Sequence, residues 1–367
     1  MNTLYLRIFL FFSLCFSSLA FPQAKNEKYF FYHHQPFGSE GVFNPVTTIV
    51  NGGLGILQIS NRSNKISDID FQNGLDNVTY NLSHPFSAIS GYGWGKFIKS
   101  EILPTSLKRK KAQYFPNYTL HLLGGGATLK MFDEWYRWQR FSHPKVMAYG
   151  SWFVYHFLNE IVENNRYKGI NVDPISDMYI FNTLGALLFS FDAAGRFFGE
   201  TLNLRDWSFM PAYDPQLKTI ENVGQNFVIK YKMPGSSKWY FMYHFGVHGA
   251  GGISYKRHDG KSFSAAAGLV ADELVDAETG GASRVLTTNL VWTLGFFYDI
   301  DNSLLASVIL AGTKGYKVRV NVYPGLVRIG PISPGFFINI REDNKAVAGM
   351  MVRFFPIGLA RRVALRF

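Results

Sequence analysis

Cysteine is almost missing from this chain: there is one in 367 residues, at position 15. A single thiol closes no internal disulfide, so a disulfide framework is excluded as the source of stability. Charge is scarce as well, at 17% of residues, although the balance of 37 basic against 26 acidic side chains leaves a net charge of +11. The C-terminal half contains no apolar run of about 18 residues, the length at which a helix crosses hydrocarbon. No Gly-x-Ser-x-Gly elbow occurs, and Gly124-Gly125-Gly126 is not followed by Lys-Ser or Lys-Thr, which excludes a phosphate loop. That glycine run reads instead as a close strand-to-helix passage.

Aromatic residues are abundant. The 34 Phe, 20 Tyr and 7 Trp make up 17% of the chain, beside 35 Gly and 47% hydrophobic residues, with a mean hydropathy of −0.01. This composition excludes disorder and fits a membrane β-barrel better than a soluble enzyme.

The first residues explain the cysteine. Arg7 supplies a positive charge, Ile8 to Phe16 are apolar, and Ser18-Leu19-Ala20 places small residues where a signal peptidase reads. Residues 1–20 are therefore expected to be a signal peptide. The apolar stretch is too short to span ~30 Å at ~1.5 Å per residue, and bulky Leu14 disfavours lipidation of Cys15. Cleavage would remove the chain's only thiol. Export makes nucleic acid an unexpected partner and lipid head groups the expected one for the excess positive charge.

From about Gln225 onward the chain alternates with a period of two. Leu286, Leu290, Trp292, Leu294, Phe296 and Tyr298 share one face, broken by Thr288, against Thr287, Asn289, Thr293 and Gly295 on the other. Tyr316, Val318, Val320 and Val322 oppose Lys317, Arg319 and Asn321 in the same way, and Trp239 to Val247 repeats the pattern. Polar breaks such as Pro234 to Ser237, Asp259-Gly260 and Asp299 to Asn302 are hairpin signals. Apolar faces ending in Trp, Tyr or Phe match a lipid band of about 25 Å with aromatic girdles. The chain stops at Phe367, with Leu365 and Val363 on its face and Arg366 and Arg362 on the other. A terminal aromatic closing an amphipathic strand resembles the signal that outer-membrane barrels present to the barrel-assembly machinery, which makes that machinery an expected partner.

The region before residue 210 is different. Helices are expected near 128–140, 146–165 and 175–198, with Pro144 before the second, Asn164-Asn165 after it, and Asp173-Pro174 opening the third. His156, Glu160, Asp177 and Asn182 interrupt their apolar surfaces, so burial inside or beside a barrel is expected rather than a bilayer span.

Several short motifs come in a fixed order: Tyr80-Asn81-Leu82-Ser83-His84-Pro85, Gly91-Tyr92, Gly150-Ser151 leading to Glu160, Ser176-Asp177 with Asn182 and Gly185, and Gly199-Glu200. They resemble the outer-membrane family catalogued as domain of unknown function 3943, over roughly residues 75–200. The paired helices, with Glu on one and Asp and Asn on the other, are also distantly similar to VanZ-like membrane proteins. Where that pattern suggests an acid after Trp, this chain has Val154-Tyr155-His156. The resemblance implies a barrel with an embedded helical insert and no particular reaction.

The candidate site residues are His84, Glu160, Asp177 and Asn182. A histidine beside a carboxylate supplies a general base for a lipid or glycan ester, and His84 equally suits a backbone hydrogen bond where Pro85 fixes a turn. Buried carboxylates in an apolar helical pair must find partners, so helix-to-helix pairing is the alternative to catalysis. Lys108-Arg109-Lys110-Lys111 is a candidate for gripping lipid head groups, or a solvated loop. His33-His34 and His244 with His248 lack a nearby carboxylate and are incomplete for zinc; no metal and no cofactor is expected.

The expectation is thus an outer-membrane, all-β, antiparallel up-and-down barrel of about 10–12 strands. Residues 21–210 would carry the helical insert and 211–367 the transmembrane strands. A structural, assembly or small-solute role is expected, with a hydrolase or acyltransferase using His84 with Glu160 or Asp177 as the alternative. The sequence leaves oligomeric state open.

Overall fold

Three short devices start the helices. Asn44 accepts a hydrogen bond from the Thr47 amide ahead of α1 (Pro45–Gly53), and Asp70 accepts one from Asn73 ahead of α2 (Phe71–Ser83). Proline occupies the first turn of α1 and again of α4 (Pro144–Glu163). Between α2 and α4 lies α3 (Gly126–Trp138), and α5 (Asn182–Ser190) follows α4. The structure, a computed structural model, describes residues 28–103, 117–279, 283–341 and 345–364. The expected signal peptide, the basic run Lys108 to Lys111 and the terminal Phe367 lie outside these residues.

Two of the expected helices are found nearly as placed, as α3 and α4. The third is broken: 173–201 contains α5 flanked by wider, π-helical turns at Ser176–Phe181 and Phe197–Thr201, with an extended residue at Phe191. A further π-helical stretch, Asn117–Gly125, leads directly into α3. The glycine run is therefore a close passage within a helix, not from a strand. A Cβ on Gly126 would lie 2.6 Å from the Gly185 carbonyl oxygen, and one on Gly185 would lie 2.5 Å from that of Leu122. No helix among the described residues is long and apolar enough to cross a membrane.

Thirteen strands form one mixed sheet. They are β1 (Arg205–Asp206), β2 (Ala212–Asp214), β3 (Thr219–Glu221), β4 (Phe227–Lys232), β5 (Trp239–Phe245), β6 (His248–Lys256), β7 (Lys261–Thr279), β8 (Ser283–Ile300), β9 (Ser303–Ala311), β10 (Val318–Val322), β11 (Pro334–Ile340), β12 (Lys345–Val352) and β13 (Gly358–Ala364). The order is β1-β4-β5-β6-β7-β8-β9-β10-β11-β12-β13-β2-β3. It is not a closed ring, since β1 and β3 stand at its ends and do not pair. This corrects the expected 10–12 strands and the purely antiparallel arrangement, because β13 runs parallel to β2.

The higher count has a local cause. Asp206 pairs with Phe227, Ala212 with Glu221 and Asp214 with Thr219, one unbroken register. The amides of Trp207 and Phe209 donate to the carbonyls of Asn226 and Gly224 along the same line. In register, β1 and β2 are two pieces of one strand and β3 and β4 two pieces of its hairpin partner. Pro211, which has no amide to donate, and Gly224, at φ +147, interrupt the pairing between them.

The two faces of this sheet reverse the usual polarity. One face carries the exposed Trp239, Phe241, Ile253, Phe263, Leu269, Trp292, Phe296, Val308, Met350 and Leu359. Register places them side by side: Phe241 opposite Ile253, Leu269 opposite Trp292, Phe296 opposite Val308, Met350 opposite Leu359. The other face is buried yet rich in polar groups, including Lys230, His244, Ser254, Ser264, Arg319, Asn321 and Asn339.

The N-terminal segment packs on that buried face. Val42 joins Trp207, Val228, Met242 and Phe297 in one cluster. Ser39 Oγ donates to the Asp206 carbonyl, Asn51 Nδ2 to that of Phe209, and Asn61 Nδ2 to that of Leu274. The helices α3 and α5 instead cover the outer face at β4 and β5, where Ala127, Met131 and Phe189 meet Phe227 and Phe245. Helical residues thus both fill and flank the sheet.

Candidate functional site

Two helical layers meet where the π-helical stretches Asn117–Gly125 and Ser176–Phe181 face α4. The first contributes His121, the second Asp177, and α4 contributes His156 and Glu160, which stand four residues apart on one face of the helix. All four are buried, Glu160 completely and His156 to 1% exposure. One ligand atom each from His121, Glu160 and Asp177 lies within 4.8 Å of the others.

Hydrogen bonds orient part of this cluster. His121 Nε2 is 3.2 Å from Asp177 Oδ2, and its Nδ1 is 3.2 Å from Asn182 Oδ1. Asn182 Nδ2 turns to Met178 Sδ at 3.5 Å, which leaves its oxygen as the acceptor for the imidazole. Ser176 Oγ donates to Asp177 Oδ1 at 3.1 Å, and Asn164 Nδ2 reaches Glu160 Oε2 at 3.4 Å. The indole of Trp152 donates to the Gly125 carbonyl at 2.8 Å. His156 differs from all of these: both of its ring nitrogens are buried without a hydrogen-bond partner. Its ring lies 5.4 Å from that of His121, centroid to centroid. A Cβ on Gly125 would sit 2.8 Å from His156 Nε2 and 3.4 Å from Asn182 Oδ1, so glycine is required there to admit the ring.

Burial governs the charges. It pushes His121 down to about 4, and burial together with the neighbouring His121 holds His156 well below the ordinary imidazole range. Asp177 is pushed well above the usual carboxylate range, first by burial and then by repulsion from Asp173, Glu160, Glu163 and Glu101. The contact between His121 and Asp177 has ion-pair geometry, yet both shifts favour neutral partners, and with full burial the neutral pair is the form we assign.

Glu160, Asp177 and Asn182 are thus brought together as anticipated. His84 is not: it caps α2 in an exposed position, with Nδ1 3.0 Å from the Tyr80 carbonyl oxygen and its ring stacked on Tyr80. Its bland reading, a backbone hydrogen bond at a turn, is the one the structure gives. His121 was missed because no acid lies near it in sequence and its neighbours read as a glycine passage. His156 and Glu160 carried a usable signal in their four-residue spacing. In the motif that includes His84, the buried member is Asn81, whose Oδ1 accepts from the Asn171 amide and whose Nδ2 donates to the carbonyls of Asn77 and Gly169.

A cavity of about 600 Å³ adjoins the cluster, with His121 and Glu163 on its wall beside Ile56, Leu120, Leu274 and Leu290. His248 lines the same cavity from the sheet, with one ring nitrogen bonded to that of His244 at 2.7 Å. Comparison of the chain with protein-family models, curated proteins and solved structures found no match.

Proposed function

We propose that this chain is an outer-membrane β-barrel protein whose lumen is filled by its own N-terminal segment. It acts as a non-conducting scaffold that holds the helical layer and its buried site at the membrane. The observation that carries this reading is the reversed polarity of the sheet: an exposed apolar face rimmed with Trp, Phe and Tyr, and a buried face bearing Lys, Arg, His, Asn and Ser. In water that arrangement is costly on both sides, whereas beside acyl chains it is the favourable one.

Closure of the wall is part of the proposal. The two ends of the strand order, β1 and β3, belong to the two arms of one hairpin, so its first arm has a partner on each side: β3 and β4 on one, β13 on the other. A ring closed this way leaves no unpaired edge in lipid, where each unpaired amide or carbonyl costs several kcal/mol.

A small-solute pore is the weaker form of the reading. Two cavities against the inner face measure about 10 and 80 Å³, enough for a few waters, and the larger one beside the cluster reaches the sheet at His248 and Gly268. The catalytic alternative is favoured by one observation, the cavity of about 600 Å³ whose wall sets His121, Asn159, Glu163 and Gln225 among Ile56, Leu120, Leu274 and Leu290, a size suited to a small amphipathic ligand. His121 then takes the place anticipated for His84.

Expression in a Gram-negative host and membrane fractionation tests the reading. The protein should sediment with the outer membrane, require detergent for extraction, and give no channel openings in planar bilayers. Recovery as a stable, detergent-free soluble protein would overturn it.

A further inference from the structure

We propose that His121, His156, Glu160 and Asp177 are the ligands of a divalent transition-metal ion bound within the helical layer. The proposal goes beyond the membrane reading and does not rest on it.

Three independent features converge. The first is proximity: His121, Glu160 and Asp177 present nitrogen and oxygen atoms within 4.8 Å of one another from three separate chain segments, all buried. Two carboxylates held that close away from water do not both stay charged, so the metal-free site keeps a proton on Asp177, whose place a cation would take. The second is the His156 imidazole, fully buried and without a hydrogen-bond partner at either nitrogen. An unsatisfied buried polar group costs roughly 1–3 kcal/mol. A coordinate bond to a metal satisfies it. Its Nε2 edge abuts Gly125, and its ring centroid lies 5.4 Å from that of His121.

The third feature is the tautomer of His121. Asn182 Oδ1 accepts from Nδ1, which places the proton there and leaves the Nε2 lone pair facing Asp177 Oδ2 at 3.2 Å. Metal-binding histidines are held in this way, with the far nitrogen donating to an outer acceptor. Two acceptor atoms opposed at that distance need a proton or a cation between them.

The donor set fixes the class of ion. Two imidazoles with two carboxylates suit zinc, iron(II) or manganese(II), whereas calcium and magnesium take shells of oxygen. The cavity that His121 lines gives the ion a route inward.

The test uses the full chain purified in detergent, stripped with chelator and dialysed against zinc. Bound metal is counted by mass spectrometry, and cobalt(II) is substituted to record the visible spectrum of the site. Wild type should bind one zinc per chain, and the cobalt form should show the intense bands of a tetrahedral nitrogen and oxygen site. His156→Gln and Asp177→Asn should each weaken zinc binding by about tenfold or more, with circular dichroism confirming their fold, while His84→Ala should bind as wild type does. Should the variants fail to fold, the wild-type count and cobalt spectrum decide alone. Absence of saturable zinc in folded wild type would mean that the cluster shares only a proton, and would overturn the proposal. So would undiminished binding by both folded variants.

Discussion

Asn171 Nδ2 donates to Asn164 Oδ1 at 2.6 Å, tying the segment that opens the Asp177 region to the end of α4. The same residue reaches Asn77 Oδ1 at 3.3 Å, and its amide donates to Asn81 Oδ1 at 3.0 Å. Four asparagines thus join α2, α4 and the approach to Asp177 in one buried network. The cluster of titratable groups depends on elements far apart in sequence, and this network fixes their spacing.

Replacing Asn81 by Ala should therefore loosen the site as well as destabilise the fold. It leaves the Asn171 amide without its acceptor, at roughly 1–3 kcal/mol, while the Gly169 carbonyl keeps the hydrogen bond from Asn77 Nδ2. Chemical denaturation in detergent should show a loss of about 1–3 kcal/mol, above that of His84→Ala, which removes one exposed hydrogen bond. Equal effects of the two substitutions would contradict the assignment of Asn81 as the structural member of its motif.

The strands were legible because each alternation separates an exposed apolar face from a buried polar one. Val318, Val320 and Val322 face outward and Arg319 and Asn321 inward, as their order predicts. Likewise α4 follows from Pro144 in its first turn and α3 from its apolar spacing. The stretch 117–126 could not be read as helix, since His121 and three consecutive glycines argue locally against one and only the tight crossing with α5 favours it. The parallel pairing of β13 with β2 joins Gly358 to Ala212, a contact that no local pattern announces. The site was half legible for the same reason: Glu160, Asp177 and Asn182 stand out as polar residues on apolar helices, whereas His121 acquires meaning only from its neighbours in space.

Buried Lys230 and Asp299 make a second test. They are 2.5 Å apart on the inner face, with the ammonium also over the Trp207 ring. Lys230→Ala strands the aspartate in the interior and should cost about 3–5 kcal/mol. Lys230→Met combined with Asp299→Leu should recover most of that loss, because a well-packed apolar pair is often as stable as the ion pair it replaces. A double-mutant cycle in urea with no coupling between the two positions would show that they do not meet.

Glu101 gives the fold a pH dependence. Burial, followed by the nearby Asp173, raises its carboxyl to about 8. An acid with a raised folded-state value is stabilising while protonated. Its contribution is complete below about pH 4.5 and declines as pH climbs toward 8. Glu101→Gln keeps the shape and removes the titration. Its unfolding midpoint should match wild type near pH 5 and exceed it near pH 9. Parallel stability profiles for the two proteins would contradict this.

The central claim is that the outer face of the sheet meets acyl chains, and spin labels on adjacent residues test it most directly. Cys15 is the one cysteine of the sequence, and Cys15→Ser removes the competing thiol. Nitroxides are attached at Phe296→Cys, on the exposed apolar face, and at Ser307→Cys, on the buried polar face, and the protein is reconstituted in lipid vesicles. At Phe296 relaxation should be strong with dissolved oxygen and weak with a water-soluble nickel chelate; at Ser307 both should be weak, as in a packed interior. A label at Phe296 that the nickel chelate relaxes freely would place that face in water and contradict the account.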